Sequence, residues 1–128
     1  LFRIIPRTII SCKTGKPMQL HGGGGSIRSF IHINDFANAF NLILKKGKHL
    51  QIYNIGTSEK VKISKLALLV SKIMNKKIVI KNKKIAKGST KVRCPDISKL
   101  KKLGFIKKVS LTEGLKQVIN NQRKINKK

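Results

Sequence analysis

The chain is poor in residues that do covalent or acid–base chemistry. It holds four acids (Asp35, Glu59, Asp96, Glu113), three histidines (His21, His32, His49) and two cysteines (Cys12, Cys94). Nucleophilic catalysis needs a nucleophile with a base in reach, and no histidine stands at a recognised motif spacing from a Ser or Cys. Four acids leave little scope for a carboxylate pair, and at least two of them sit where helix caps are expected. No cluster has metal-ligand spacing, so no catalytic residue and no metal ligand is expected. The cysteines have no motif spacing either and read as reduced thiols. The useful chemistry is cationic. A glycine run at residues 22–25 leads into Ser26-Ile27-Arg28, ahead of an apolar stretch. Glycines let a ligand approach the backbone, and an arginine can grip an anion with two parallel hydrogen bonds. The run has neither the Gly-Lys-Ser/Thr ending of a P-loop nor the Gly-x-Gly-x-x-Gly of a dinucleotide fold. Taken alone it is a flexible turn.

Positive charge is abundant everywhere else. The chain has 128 residues, enough for one domain or a piece of one, with 30 Lys and Arg against four acids and a net charge of +26. That excludes an ordinary neutral enzyme surface and any acidic disordered tail, and it invites a nucleic-acid reading. Lysine nevertheless outnumbers arginine 25 to 5, beside 19 Ile and 9 Asn. An AT-rich genome writes that composition into any protein, whereas a phosphate-clamping surface favours Arg. With no Trp and one Tyr, platforms for base stacking are scarce. The lysines collect in pairs such as Lys45-Lys46 and Lys101-Lys102 at expected helix exteriors, as on a solvated surface. A small basic nucleic-acid-binding module, ribosomal-like, is the second reading. A hydrophobic fraction of 40% suffices for a packed core. No apolar run approaches the roughly 20 residues of a membrane span, and no signal-peptide pattern is visible. A cytoplasmic chain with no membrane partner is expected.

The elements that must position these residues alternate between helix and strand, which predicts an α/β class. The pattern predicts a helix over 4–14, with Pro6 in its first turn and Gly15 past its end. Residues 18–21 read as extended and 30–33 as a strand. Asn34 and Asp35 are N-cap candidates for a helix ending before Gly47. Residues 51–55 read as a strand closed by Gly56. Ser64 opens a helix whose stripe is Leu66, Leu69, Val70 and Ile73. A short strand is expected over 77–80 and a polar loop over 81–92. Asp96 caps a short helix ending at Gly104. Ser110 and Glu113 form a capping box for a last helix with Leu115, Val118 and Ile119 inward, and the tail from Asn120 is expected to fray. There is no internal repeat and no dividing linker, so residues 1–128 read as one unit. The chain begins at Leu1 in mid-pattern and is expected to be a fragment.

Four motifs then fall in order. Gly22, Gly24, Arg28, Phe30, Ile31, Ile33 and Asp35 fill Gly-x-Gly-x-x-x-Arg-x-Phe-Ile-x-Ile-x-Asp. Tyr53-Asn54-Ile55-Gly56 follows, then Arg93-Cys94-Pro95-Asp96-Ile97-Ser98-Lys99. Leu103-Gly104-Phe105 with Ser110-Leu111-x-Glu113-Gly114-Leu115 comes last. Together they resemble the C-terminal half of extended short-chain dehydrogenases, the NAD-dependent nucleotide-sugar epimerases, dehydratases and decarboxylases. Each motif alone is weak; four in order, covering nearly the whole chain, are specific.

The resemblance implies a fold and roles. The fold would be the C-terminal part of a Rossmann-type enzyme, a small substrate-binding domain plus a strand and helix of the main sheet. Arg28 and Arg93 would bind the diphosphate of a nucleotide-sugar, with Asn54 beside them. Residues 18–22, including Gln19, Leu20 and His21, would flank the nucleotide base, His21 standing where many members have Tyr. The glycine-rich NAD turn and the Tyr-x-x-x-Lys pair belong to the family's N-terminal half and are not in this sequence. NAD would be bound there, and this portion alone would be inactive. In the full enzyme, hydride passes from sugar to NAD to give a keto-sugar. The stretch 1–35 looks most like dehydratases acting on dTDP-glucose, and a homodimer is an expectation for the full-length enzyme. On the residues alone other roles stay open: Arg28 paired with Asp35, Asn54 capping a turn, Arg93 as a surface cation.

Overall fold

The computed structural model describes residues 3–85 and 88–125. Helix α1 spans Ile4–Thr14 and stops at Gly15, whose φ of 69° lets its N–H return to the Ser11 carbonyl. Strand β1 (Met18–His21) follows, then a tight turn over Gly22–Gly24 and the two-residue β2 (Ile27–Arg28). Helix α2 spans Ile33–Lys46, β3 is Val61–Lys62 and α3 is Ile63–Met74. Strands β4 (Ile80–Lys83) and β5 (Val92–Arg93) precede α4 (Ser98–Lys102) and α5 (Leu111–Ile125). Strand β1 runs parallel to β4, Met18 opposite Ile80. Strand β2 lies between antiparallel β3 and parallel β5, with Arg28 opposite both Val61 and Arg93.

Helix periodicity builds the main core. Leu66 and Val70 of α3, Ile9 and Cys12 of α1, and Leu115 and Ile119 of α5 meet in one buried cluster. Each such side chain contributes roughly 1.5–3 kcal/mol by leaving water. A second cluster joins Ala39 of α2 to Ile97, Leu100 and Phe105, and a third joins Met18 and Leu20 to Ala67. The expected α3 stripe is present, with Leu69 and Ile73 at the cluster's edge. The Ser110–Glu113 box forms: the Ser110 N–H donates to the Glu113 carboxylate (2.9 Å) and the Glu113 N–H to Ser110 Oγ (3.2 Å).

Several sequence expectations give way. Residues 30–32 form no strand; Phe30 and Ile31 are partly buried against two different clusters, and that packing accounts for their apolar run without ladder pairing. Helix α2 begins at Ile33, capped by His32, whose Nδ1 accepts the Asn34 N–H (3.2 Å). Asp35 is not a cap; it is buried and accepts the backbone N–H groups of Lys108 (3.1 Å) and Val109 (3.0 Å). Residues 51–55 are not a strand, because no described strand lies alongside to complete a ladder. The expected strand at 77–80 starts only at Ile80, and the supposed loop over 81–92 supplies β4 residues and the start of β5. Helix α3 opens at Ile63, entered through Lys62, one residue before the expected Ser64. In α5 the inward positions are Leu115 and Ile119, spaced by four, while Val118 turns out to solvent. That helix continues past Asn120 to Ile125.

Candidate functional site

The first turn of α1, the β1 strand with its glycine turn, β2 and β5 surround one open cleft of about 990 Å³. Ile55 and Gly56 complete its wall. Thr57 anchors that wall, its buried hydroxyl donating to the Phe30 carbonyl (3.3 Å). Gly56 is required there: a Cβ would lie 2.6 Å from Pro95 Cγ. Gly24 has φ +78° and crosses the start of α3 so closely that a Cβ would meet the Ser64 nitrogen at 2.9 Å.

Arg28 is held by main-chain carbonyls. Its Nη1 donates to Ile27 O (2.7 Å) and Lys91 O (3.4 Å), and its Nη2 to Thr90 O (3.1 Å). A guanidinium has five N–H donors, so two remain, the number a bidentate pair to a phosphate uses. The Arg28–Asp35 pairing does not occur, since Asp35 is taken by Lys108 and Val109. Arg93 faces the same cleft from the neighbouring strand, with Nη2 donating to Thr90 Oγ1 (3.2 Å).

Gln19, Leu20 and His21 also line the cleft. Leu20 is only 4% exposed and shapes the wall from within its own cluster. His21 Nδ1 lies 2.7 Å from the Lys84 carbonyl, which can only accept, so Nδ1 carries the hydrogen. Asn54 is not on the cleft wall. Its amide donates to the Asp96 carbonyl (3.0 Å), tying residue 54 to the segment that follows Arg93.

Two site residues escaped the sequence reading. Arg3 and Arg7, one helical turn apart at the start of α1, line the cleft as well, and Arg7 donates to the Gln19 carbonyl (3.2 Å). Among the described lining residues there are four arginines, no lysine and no acid. The chain has only five arginines, whereas every described lysine is exposed. The signal was present in the i, i+4 spacing of Arg3 and Arg7, but it needed the cleft to give it meaning.

The described residues hold no group of three or more His, Cys, Asp or Glu able to bind a metal. The glycine turn does not fit the pyrophosphate of a nicotinamide dinucleotide either. A dinucleotide turn runs from a strand into a helix N-terminus that faces the pyrophosphate. Here the glycine turn runs into the two-residue β2, and its Gly23 N–H is taken by Asn82 Oδ1 (2.7 Å).

Residues 2–56 match the family model described as the NAD dependent epimerase/dehydratase family. A trifunctional UDP-glucose 4,6-dehydratase/3,5-epimerase/reductase of Arabidopsis thaliana is 31% identical over 91% of this chain and 18% of its own length. Human dTDP-D-glucose 4,6-dehydratase is 37% identical over 51% of this chain and 19% of its own length. Among solved structures, Thermotoga maritima UDP-glucose 4-epimerase with UDP-glucose superposes with a TM-score of 0.84 at 28% identity, over 97% of this chain and 40% of that one. UDP-glucuronic acid 4-epimerase of Bacillus cereus, with UDP-glucuronic acid and NAD, gives 0.86 at 26%, over 96% and 40%. The fold is that of part of a Rossmann-type extended short-chain dehydrogenase. The chain is thus similar to the NAD dependent epimerase/dehydratase family, through residues 2–56 to its model and through most of its length to the Arabidopsis relative. It spans under a fifth of the Arabidopsis relative and two fifths of these solved chains.

Proposed function

We propose that this chain is the C-terminal, substrate-binding portion of an NAD-dependent nucleotide-sugar epimerase or dehydratase, and that its cleft holds the nucleotide diphosphate. The observation that carries the reading is the gathering of four of the five arginines in one acid-free cleft among the described residues. Arg28 and Arg93 grip phosphate oxygens, while Gln19, Leu20 and His21 flank the base. Asn54 acts indirectly, by bracing the backbone after Arg93. NAD belongs to residues outside this chain, as do the Tyr and Lys that move proton and hydride. On this reading the chain is a fragment, inactive alone, and the full-length enzyme forms a homodimer. The similarity to glucose 4,6-dehydratases, dTDP- and UDP-dependent alike, favours a 4,6-dehydratase among the family's choices. Two free cysteines favour a cytoplasmic setting. The nucleic-acid alternative is disfavoured because the arginines line a cleft and the described lysines are dispersed over the surface.

The test is a titration of the chain with uridine, UMP and UDP, and with the thymidine series, by calorimetry. Affinity should rise steeply with the second phosphate. Equal affinity for nucleoside and diphosphate would reject the reading.

A further inference from the structure

One residue outside every motif contacts both arginines of the proposed clamp. Thr90, on the segment that leads into β5, accepts from Arg28 Nη2 through its carbonyl (3.1 Å) and from Arg93 Nη2 through its hydroxyl (3.2 Å). Its neighbour Ser89 lines the cleft. Arg28 and Arg93 are paired across β2 and β5, so the backbone already sets their spacing. What the backbone does not set is where the long side chains point. Arg28 is half-buried and has two further carbonyl anchors, whereas Arg93 is exposed, and no hydrogen bond other than that to Thr90 Oγ1 is seen for its guanidinium among the described residues.

We infer that Thr90 is a positioning residue that preorganises the two guanidinium groups for one diphosphate; the inference rests on the diphosphate reading above. The physical reason is entropic. A free arginine side chain gives up rotamer freedom on gripping a ligand, and a brace present before binding removes part of that cost. A β-branched residue suits the task, since its χ1 is restricted and its hydroxyl is held in direction. Serine supplies the same hydroxyl with a looser χ1. Valine keeps the shape and the carbonyl that holds Arg28, and removes only the acceptor for Arg93.

The experiment is calorimetric titration of the full chain with UDP, for wild type, Thr90→Val, Thr90→Ser, Arg93→Ala and the Thr90→Val/Arg93→Ala pair, with circular dichroism to confirm equal folding. Thr90→Val should weaken UDP binding roughly three- to tenfold, the range of one ordinary hydrogen bond, as befits a solvent-exposed pair. Thr90→Ser should stay within about twofold of wild type. In the Arg93→Ala background, Thr90→Val should add less than about twofold, because the brace has nothing left to hold. Two results overturn the inference alone: wild-type affinity in Thr90→Val, or an undiminished effect of Thr90→Val without Arg93. Absence of UDP binding in a wild-type chain that circular dichroism shows to be folded would instead overturn the diphosphate reading itself, and the brace with it.

Discussion

The Asp35 carboxylate accepts the backbone N–H of Val109 at 3.0 Å across 74 positions of sequence, and its second oxygen accepts from Lys108 at 3.1 Å. This buried carboxylate ties the start of α2 to the entry of α5. Replacing Asp35 with Ala strands two backbone donors. Asp35→Ala should lower stability by roughly 2–4 kcal/mol in urea denaturation. A loss below about 0.5 kcal/mol would show the tie to be dispensable.

Much of this was legible in the sequence, and the failures share a cause. Helix α1, its glycine stop and the Ser110–Glu113 box follow from local chemistry, and local chemistry is what a sequence displays; Asp96 is not the cap expected of it but stands one residue before the Ile97 N-cap of α4, where its carboxylate accepts the Ser98 N–H (2.8 Å). The strand at 27–28 and those near 80–83 and 92–93 are made by backbone pairing between polar or very short segments, and no alternation announces them. The motif pattern marked Asp35 but its partner is 74 residues away. In the site, Arg28 and Arg93 were found because they sit in motifs. Arg3 and Arg7 were missed because a helical pair of arginines looks like solvated surface until a cleft is seen beside it.

Arg3 and Arg7 should therefore matter to anion binding, unlike lysines of the same charge elsewhere. Arg3→Ala/Arg7→Ala should weaken UDP binding roughly tenfold, while Lys45→Ala/Lys46→Ala on α2 leaves it unchanged. Equal effects of the two pairs, measured by calorimetry at fixed salt, would mean that net charge alone attracts the ligand.

Acid should loosen two helix starts. The backbone N–H of Ser98, then its side chain, holds the Asp96 carboxyl below the usual carboxylate range; the Ser110 hydroxyl, then its backbone N–H, does the same for Glu113. A carboxyl lowered on folding stabilises the fold above its unfolded pKa, and that contribution is lost as pH falls through the folded value. Melting temperature should thus be insensitive to these groups above about pH 5 and fall below it. Asp96→Asn and Glu113→Gln should each flatten that acid limb. Parallel limbs in wild type and variants would remove both groups from the cause.

The cysteines should separate by reactivity. Cys12 is buried in the main core and burial pushes its thiol pKa up, whereas Cys94 is partly exposed beside Arg93. A thiol reagent at neutral pH should label Cys94 first and reach Cys12 only on unfolding. Simultaneous labelling under native conditions would contradict the packing of α1 on α3.

Helix α2 leaves Ile33, Phe36, Phe40 and Leu44 exposed along one side, and Leu50 and Ile52 follow at 89% and 81% exposure. A chain with so much uncovered apolar surface should be poorly stable alone and associate in solution. Size-exclusion chromatography should show species larger than a monomer, reduced by Phe40→Glu/Leu44→Lys. A monodisperse monomer with a cooperative melt would contradict this.

The diphosphate clamp is tested most directly by calorimetry of UDP and dTDP against wild type and an Arg28→Ala/Arg93→Ala variant with unchanged circular dichroism. Saturable binding in the wild type, weakened roughly a hundredfold or more in the variant, is the expected result. Equal affinity in the two proteins would contradict it.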